Sequence, residues 1–220
     1  MQSALEQWIP HREEFADELF KLEALYLGDK PAPCQICSSD IAPFRCLDCF
    51  SFGPACEDCV LRQHEHHIFH RIQVGTLFLC AAAGVNALQR WNGSFFHDTS
   101  LFHLGASYQL SHDVGDRCDN PSRPLDLMLF DVSGVHTVQV SYCFCNENSV
   151  PRHCQLLRQR WFPATWARPS TAFTFRLLNF LHKLQTQSKV NLYDFYHSLI
   201  SVTDSAGQTP PVVNLSHSLF

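Results

Sequence analysis

Residues 34–70 read CQICSSDIAPFRCLDCFSFGPACEDCVLRQHEHHIFH, and this stretch decides the fold of the N-terminal part of the chain. It contains four successive pairs of metal donors, three spaced Cys-x2-Cys and the last spaced His-x5-His. Two sulfurs that are separated by two residues can reach one tetrahedral ion, because Zn–S bonds of about 2.3 Å require closely spaced donors. Eight donors fill two such sites without an open position for water, so we expect two structural zinc ions. The donors are Cys34, Cys37, Cys46, Cys49, Cys56, Cys59, His64 and His70.

The eight donors can be divided between two ions either sequentially or in an interleaved way, and the spacing favours interleaving. The segment has few aliphatic residues, so metal has to replace a hydrophobic core, with on the order of 10 kcal/mol per site coupled to folding. His66 and His67 lie between the two histidine ligands, and we expect both to be solvated. The interleaved sites are Cys34, Cys37, Cys56 and Cys59 for one ion, and Cys46, Cys49, His64 and His70 for the other.

A looser set of donors follows, at longer intervals: His112, Cys118, Cys143 and Cys145, with His136 as a further candidate. A C-x-C pair is a plausible two-donor unit, so this set predicts a third zinc ion. Half-buried thiols and a surface histidine are the alternative. Cys80 and Cys154 have no partners in the pattern, and we expect each to act as a small buried hydrophobic residue.

Composition sets the class of protein. The chain has 220 residues, of which 45% are hydrophobic and 17% charged, enough to bury a core and too apolar for a disordered tail. The N-terminus, MQSALEQWIPHREEF, has no basic start followed by an apolar core, so we expect an intracellular protein with reduced thiols. The least charged stretch, 72–89, has about a dozen purely apolar residues, short of the roughly 20 that span a bilayer. No membrane partner is therefore expected.

Hydrophobic spacing predicts the other elements. Residues 11–27 carry an apolar stripe at helical spacing, which we expect to dock on the body of the protein or else to form a dimer. Two β-rich runs, 125–132 and 135–143, are separated by Ser133-Gly134 and predict a hairpin. Two helices are predicted over 171–187 and 191–202. This order favours an α+β fold: a small interleaved, B-box-like zinc module, then a zinc-stabilised region with a β-hairpin, then C-terminal helices.

The formal net charge of −5 hides one basic block. Residues 148–193 contain seven bases and no acid, interleaved with Trp161, Phe162 and Trp166. Arginines beside aromatic side chains are typical of nucleic-acid contact; the alternative is that they pair with carboxylates such as Asp126 or Asp131. If the residues before Trp161 form a strand, the side chains of Arg158 and Arg160 lie on the same face of it. The bases are Arg152, Arg158, Arg160, Arg168, Arg176, Lys183 and Lys189.

No catalytic arrangement stands out in the sequence. It has no glycine-rich phosphate loop, no GxSxG and no HExxH, and Asp126, Asp131 and Asp194 lack any spacing signature. The pattern predicts binding and not turnover, with no catalytic residue and no small-molecule substrate.

Several ordered segments carry a resemblance to a known family: CQIC, FRCLDC, CEDC and HRI, then RWNGSFF, HLGASYQLSH, FDVSGVHTVQVSYCFC and QLLRQRWFPATWARPSTAFTFRLLNF. Over roughly residues 8–210 the chain resembles the cysteine-cluster domain found N-terminal to KDZ transposases in fungal genomes. The resemblance implies a zinc-binding, DNA-associated nuclear module that precedes an RNase-H-like catalytic domain. That domain would lie beyond residue 210, so we expect a fragment or a decayed copy. The resemblance also implies metal-ligand roles for the eight donors above and for His112, Cys118, Cys143 and Cys145.

Residues 74–89, VGTLFLCAAAGVNALQ, depart from the family pattern, which joins the segments on either side almost directly. Because Val codons begin with GT and Gln can be CAG, we interpret this insertion as a retained intron without a role in the fold. The predicted regions are the N-terminal helix and linker (1–33), the zinc module (34–73), this insertion, the cysteine-cluster region (90–205) and a tail (206–220).

Two functional hypotheses follow. The first is a non-catalytic zinc module that binds DNA for a KDZ transposase, and the second is a B-box-like module for protein contacts, including self-association.

Overall fold

A computed structural model describes residues 4–24, 33–51, 53–75, 96–112, 117–145 and 150–203. The chain divides into two compact units, one formed by Met1–His64 with His70–Ser100 and the other by Glu65–Phe69 with Leu101–Phe220. The fold is α+β, with one sheet in each unit. Across these described ranges, none of the helices has the length and apolar character needed to cross a bilayer.

The first unit begins with helix α1 (Ala4–Trp8), a 3-10 turn (Ile9–His11) and helix α2 (Arg12–Ala24). A small antiparallel sheet follows, in the order β1 (Phe44–Cys46), β2 (Ile72–Gly75) and β3 (Phe96–Thr99), with helix α3 (Glu57–Gln63) between β1 and β2. Among the described residues of this unit, the buried apolar side chains include Phe44, Ala55, Val60, Ile72 and Val74.

The helix predicted over 11–27 is present at 12–24, and residues 25–27 lie outside the described part of the chain. At Phe15 and Leu19, the apolar stripe of this helix does not pack against the body of the protein. Phe15 is 42% exposed and Leu19 is 64% exposed. Phe15 instead contacts Trp8 of α1, with ring centroids 4.9 Å apart.

The first two residues of the segment 74–89, Val74 and Gly75, belong to strand β2 and so have a role in the fold; for the rest of the segment the prediction stays a prediction. Val74 is buried and pairs with Phe44 across β1 and β2. The amide of Gly75 donates to the carbonyl oxygen of Pro43 at 2.9 Å. Residues 76–89 lie outside the described part of the chain. Beyond them, β3 pairs with β2, so Phe96–Thr99 belong to the first unit and not to the cysteine-cluster region.

The second unit is built on a mixed sheet in the order β4-β6-β5-β8-β7. Its central strands are β5 (Leu125–Asp131) and β6 (Gly134–Ser141), which form the predicted hairpin. Strands β4 and β8 are parallel to their central neighbours, and the other pairs are antiparallel. The remaining elements are β4 (Ser107–Gln109), α4 (Arg152–Arg158), β7 (Trp161–Pro163), β8 (Thr171–Thr174), α5 (Phe175–Gln187) and α6 (Leu192–Thr203).

Both faces of this sheet are buried in the second unit. On one face, Leu127 and Leu129 of β5 pack in a cluster with Leu156 of α4. On the other, Phe130 packs with Leu177 of α5 and with residues of α6. Because successive side chains of a strand point to opposite faces, a strand covered on both sides reads as a continuous apolar run, as LMLF at residues 127–130 does.

The hairpin turn lies one residue earlier than predicted. Asp131 pairs with Gly134, so the two loop residues are Val132 and Ser133 and not Ser133-Gly134. The hydroxyl of Ser133 donates to Asp131 Oδ2 at 2.8 Å, which stabilises the turn. Gly134 has φ of 128°, and a Cβ there would lie 2.6 Å from Thr203 Oγ1, so glycine is required by both backbone and packing.

The first helix predicted after residue 170 begins later than expected, since Thr171–Thr174 form strand β8. β8 pairs with β5 and with β7, and these partners are distant in sequence, so helical periodicity alone did not reveal the strand. Thr174 then caps α5, because its hydroxyl accepts from the amide of Leu177 at 3.1 Å. The second predicted helix, 191–202, is confirmed as α6.

Asp131 is a fully buried carboxylate that joins three elements of the second unit. Thr174 Oγ1 donates to it at 2.7 Å, Ser133 donates from the hairpin turn, and the guanidinium of Arg176 forms an ion pair with it. Burial raises the pKa of Asp131, but these donors outweigh it and lower the pKa below its usual value. Arg176 therefore has the structural role that the alternative interpretation of the basic block predicted.

Replacing this carboxylate tests its contribution. We expect Asp131→Asn to lower the free energy of unfolding by about 2 kcal/mol, since buried donors lose their charged acceptor. A group whose folded pKa is depressed stabilises the fold above its unfolded pKa of about 4 and loses that contribution as pH falls further. The difference between wild type and variant in urea unfolding should therefore shrink below about pH 4. Arg168→Ala, an exposed arginine without an ion pair in the described structure, is the matched control; an equal loss there would contradict the assignment.

Candidate metal centres

The structure gathers the twelve predicted donors into three groups of four, and within each group all donor atoms lie within 4.8 Å of one another. The first cluster is Cys34, Cys37, Cys56 and Cys59, and the second cluster is Cys46, Cys49, His64 and His70. The third cluster is His112, Cys118, Cys143 and Cys145. The first two clusters have the interleaved arrangement and not the sequential one.

The first cluster joins the loop before β1 to the start of α3. A tight turn brings Cys37 back to Cys34, with Ser38 at φ of 61° and its amide donating to the Cys34 carbonyl at 2.8 Å. Cys56 directly precedes α3, and Cys59 lies in its first turn. The sulfurs of Cys37 and Cys56 are 3.6 Å apart, and the amide of Cys56 donates to the sulfur of Cys34.

The second cluster joins β1 to the residues on either side of the 65–69 segment. Cys49 Sγ lies 3.4 Å from His64 Nε2 and 3.2 Å from His70 Nδ1. His64 is buried, and its Nδ1 donates to the carbonyl oxygen of Val60 at 2.8 Å. That bond fixes the tautomer in which Nε2 has a free lone pair, as expected of a metal-binding histidine.

An ion pair beside the second cluster ties its two halves together. Asp48, inside the Cys46-x2-Cys49 turn, accepts from the amide of Arg71 at 2.6 Å and pairs with its guanidinium. Burial raises the pKa of Asp48, but the contacts with Arg71 lower it overall. The pair holds the cysteine turn next to His70. Nothing in the local sequence spacing indicated this contact.

The third cluster lies at the end of the hairpin in the second unit. His112 Nε2 lies 3.0 Å from Cys143 Sγ, and Cys118 Sγ lies 3.2 Å from Cys145 Sγ. Asn120 brings the two segments together, because it exchanges backbone and side-chain hydrogen bonds with Phe144. His136 is not part of this group; its ring nitrogen contacts Ser133 and its ring packs against Phe69.

Two side-chain amides, one buried and one half-buried, position the third cluster. Gln155 of α4 is fully buried, and it accepts from the amide of Cys143 at 2.8 Å and donates to the Cys143 carbonyl at 2.9 Å. Gln109 of β4 accepts from the amide of Cys118 at 2.8 Å. Sequence reasoning missed both residues, since a glutamine has no spacing pattern that indicates a bond to a distant backbone group.

The chemistry of the donors fits zinc. A tetrahedral ion with Zn–S bonds of about 2.3 Å and Zn–N bonds of about 2.0 Å requires donor separations of about 3.5–3.8 Å. The S···S and S···N distances of 3.0–3.6 Å quoted above are close to these edges. Four soft or borderline donors of this kind favour zinc over magnesium or calcium.

The pKa values of clustered cysteines shift in opposite directions in the first and third clusters. Burial raises the pKa of Cys34, but amides of Cys37 and Cys56 donate to its sulfur and lower the pKa to about 6. In the same cluster, burial and the sulfur of Cys56 raise the pKa of Cys59 to about 12. In the third cluster the hydrogen bond from Cys118 lowers the pKa of Cys145 to about 6, whereas burial and the Cys145 sulfur raise that of Cys118 to about 11. A second thiolate is disfavoured next to the first in these two groups, and a divalent ion would relieve that repulsion.

The remaining histidines and cysteines of these segments stay outside the groups. His66 and His67 are exposed, as predicted. Cys154 lies in α4, half-buried and outside all three clusters, and Cys80 lies outside the described residues.

The basic block is divided by the structure. Arg158 ends α4 and Arg160 lies in the following turn with φ of 59°, so the prediction that they share one face of a strand is wrong. Arg176 pairs with Asp131, and Arg152 lies over the ring of Tyr142 at 5.2 Å. The remaining cations are exposed and form no ion pair within the described ranges: Arg158, Arg160, Arg168, Lys183 and Lys189.

The chain is therefore an α+β protein in which groups of cysteine and histidine residues, arranged to bind metal, bring loops together. Residues 101–207 match the family model described as a CxC2 like cysteine cluster associated with KDZ transposases. Over this range the chain is similar to that family, which confirms the resemblance for residues 101–207; the description names a cluster that accompanies transposases and not a catalytic domain. The matched range begins where the second unit resumes after the first, and it includes the third cluster and the basic block. No curated protein and no solved structure shows significant similarity to the chain.

Metal counting tests the second cluster. We expect wild type to bind three zinc ions and Cys46→Ser to bind one fewer, because a closed tetrahedral site loses a ligand that nothing else replaces. Inductively coupled plasma mass spectrometry gives the count, and limited proteolysis reports unfolding of residues 34–70. Cys154→Ser removes a cysteine outside the clusters and should retain every ion. Full retention of metal and of protease resistance in Cys46→Ser would disprove the site.

The role of Gln155 can be tested in the same way. Gln155→Ala should lower the zinc affinity of the third cluster about 10- to 100-fold, because loss of a residue that orients a metal ligand usually has an effect of that size. Competition with a chromophoric chelator measures the affinity of each site. Gln159→Ala, an exposed glutamine directly after α4, is the control. Equal affinities in the two variants would show that Gln155 does not position the third cluster.

Proposed function

We propose that the chain is a zinc-stabilised, non-catalytic nucleic-acid-binding module that serves a KDZ transposase. The family match and the three donor groups support the class of module. The observation that carries DNA binding is the basic block, 148–193, which holds seven bases and no acid. Exposed cations without carboxylate partners attract phosphate and release counterions when they bind it.

The structure reduces the set of residues that can contact phosphate. Arg176 is occupied by Asp131, and Arg152 is partly covered over Tyr142. Arg158 and Arg160 are exposed, and they flank the turn that joins α4 to β7. Arg168 and Lys183 are exposed on the β7–β8 loop and on α5. These four residues form the proposed DNA contact.

Zinc has a structural role in this proposal. Each cluster closes with four protein donors, so it has no position for a reacting water. In the second unit, a zinc ion in the third cluster would hold Cys143, and Gln155 links Cys143 to α4, the helix that ends with Arg158. Metal binding thus supports the element that presents the basic side chains. The partner would be a KDZ transposase acting in the nucleus.

A protein-interaction module of the B-box kind is the second candidate, and exposed apolar residues of the first unit favour it. Trp8, Ile9, Phe15 and Leu19 are all exposed on α1, the 3-10 turn and α2. Self-association through this surface would be insensitive to salt, whereas DNA binding would weaken steeply with salt. Sedimentation at low and high salt separates the two.

The salt dependence of DNA binding tests the proposal. Each lost phosphate contact reduces the slope of log affinity against log salt by about one unit. Arg158→Gln with Arg160→Gln should therefore flatten the slope by about two units and weaken binding to all duplex sequences alike. Fluorescence anisotropy with the zinc-loaded protein measures this.

The control is Arg12→Gln with Arg123→Gln, which removes two exposed arginines outside the basic block. It should leave the slope unchanged. If both double variants bind DNA with the wild-type slope, or if wild type does not bind DNA at low salt, the proposed function is wrong.

A further inference from the structure

The loop between β7 and β8, residues 164–170, is anchored at two points; we call it the Trp166 loop. At its base, the amide of Ala164 donates to the carbonyl oxygen of Thr171 at 2.9 Å. Near its middle, Nδ1 of His153 donates to the carbonyl oxygen of Trp166 at 3.0 Å. Because His153 lies in the first turn of α4, the loop backbone is held from both the sheet and the helix.

The side chain of Trp166 is nevertheless 77% exposed. Trp161, five residues earlier, is buried in the core of the second unit. A tryptophan contributes most when its large ring is covered, so an anchored backbone that presents the ring to solvent leaves that contribution unused in the free protein. Binding of a flat ligand to the ring recovers it.

Basic residues occur on both segments that meet at this loop. Arg168 follows two residues later in the same loop and is exposed. Arg152 begins α4, the helix that the His153 bond ties to the loop, and the His153 ring lies 6.4 Å from the Trp166 ring. No carboxylate occurs in the sequence between residues 148 and 193. An exposed aromatic ring on a loop with an exposed arginine matches a flat base attached to a phosphate.

The form of the nucleic acid follows from the geometry of stacking. In a duplex each base face is covered by the neighbouring base pairs, so stacking of a protruding ring would first have to unstack them, whereas an unpaired base offers its face without that cost. The geometry points to the Trp166 loop as a stacking site for an unpaired base of single-stranded DNA, with Arg168 beside it for the adjacent phosphate. This inference rests on the proposed function and adds the form of DNA that the basic surface prefers.

The test compares single-stranded oligothymidylate of about 16 nucleotides with the same strand annealed to its complement. Anisotropy titrations use the full-length, zinc-loaded protein at several salt concentrations. Wild type should bind the single strand more tightly, and Trp166→Ala should weaken that binding about 10- to 100-fold, as losses of stacking residues do. The salt slope should not change, because the ring has no charge. Trp166→Phe should retain most of the affinity, and Trp8→Ala, an exposed tryptophan in the first unit, should retain all of it.

Thermal unfolding of Trp166→Ala should equal that of wild type, since the ring is exposed, and this excludes a folding defect. If Trp166→Ala binds the single strand and the duplex with wild-type affinity, the stacking site is wrong. The proposed function still stands in that case if Arg158→Gln with Arg160→Gln flattens the slope of log affinity against log salt. If Trp166→Ala weakens binding to the single strand and to the duplex equally, the site for an unpaired base is also wrong. If neither DNA form binds wild type, both proposals fail. Loss of self-association in Trp166→Ala without any DNA binding would make the loop a protein contact instead.

Discussion

Crowding of four sulfur or imidazole donors within 4.8 Å is the constraint on which the rest of this structure depends. Neutral thiols gain little from such proximity, and thiolates repel one another, as the opposed pKa shifts of Cys145 and Cys118 show. A divalent cation turns this repulsion into attraction and closes each loop that leads to a donor. In the first unit a metal ion in each of the first two clusters would oppose the entropy of ordering the loops that carry the donors.

The second unit is stabilised in a different way. Its sheet is covered on both faces, by Leu156 of α4 on one side and by Leu177 of α5 on the other. Asp131 ties the hairpin turn to β8 and to the start of α5 through Ser133 and Thr174. The third cluster is therefore added to a scaffold that already has a core. A metal ion there would order the loops around Cys118 and Cys143 and would not replace the core.

The same electrostatic reasoning separates structural cations from functional ones. A buried carboxylate requires a partner, and Arg176 meets that need for Asp131. The exposed cations of the basic block form no ion pair with a carboxylate in the described residues, and they lie in helices, turns and loops of the second unit. Anchored elements that present unpaired positive charge and an exposed tryptophan are suited to a ligand with negative charge and flat rings.

Sequence alone determined what depends on local spacing. The Cys-x2-Cys turns, the α6 helix and the hairpin of β5 and β6 follow from short-range patterns, and the donors were all identified in advance. The spacing also favoured the interleaved grouping of the donors, which the structure shows. Tertiary structure alone decided why Thr171–Thr174 form a strand and which arginine is paired. It also showed that Val74 belongs to a strand and that Gln155 holds Cys143. These features depend on residues that are distant in the sequence, whereas the periodicity of hydrophobic residues indicates only how residues are placed within one helix or strand.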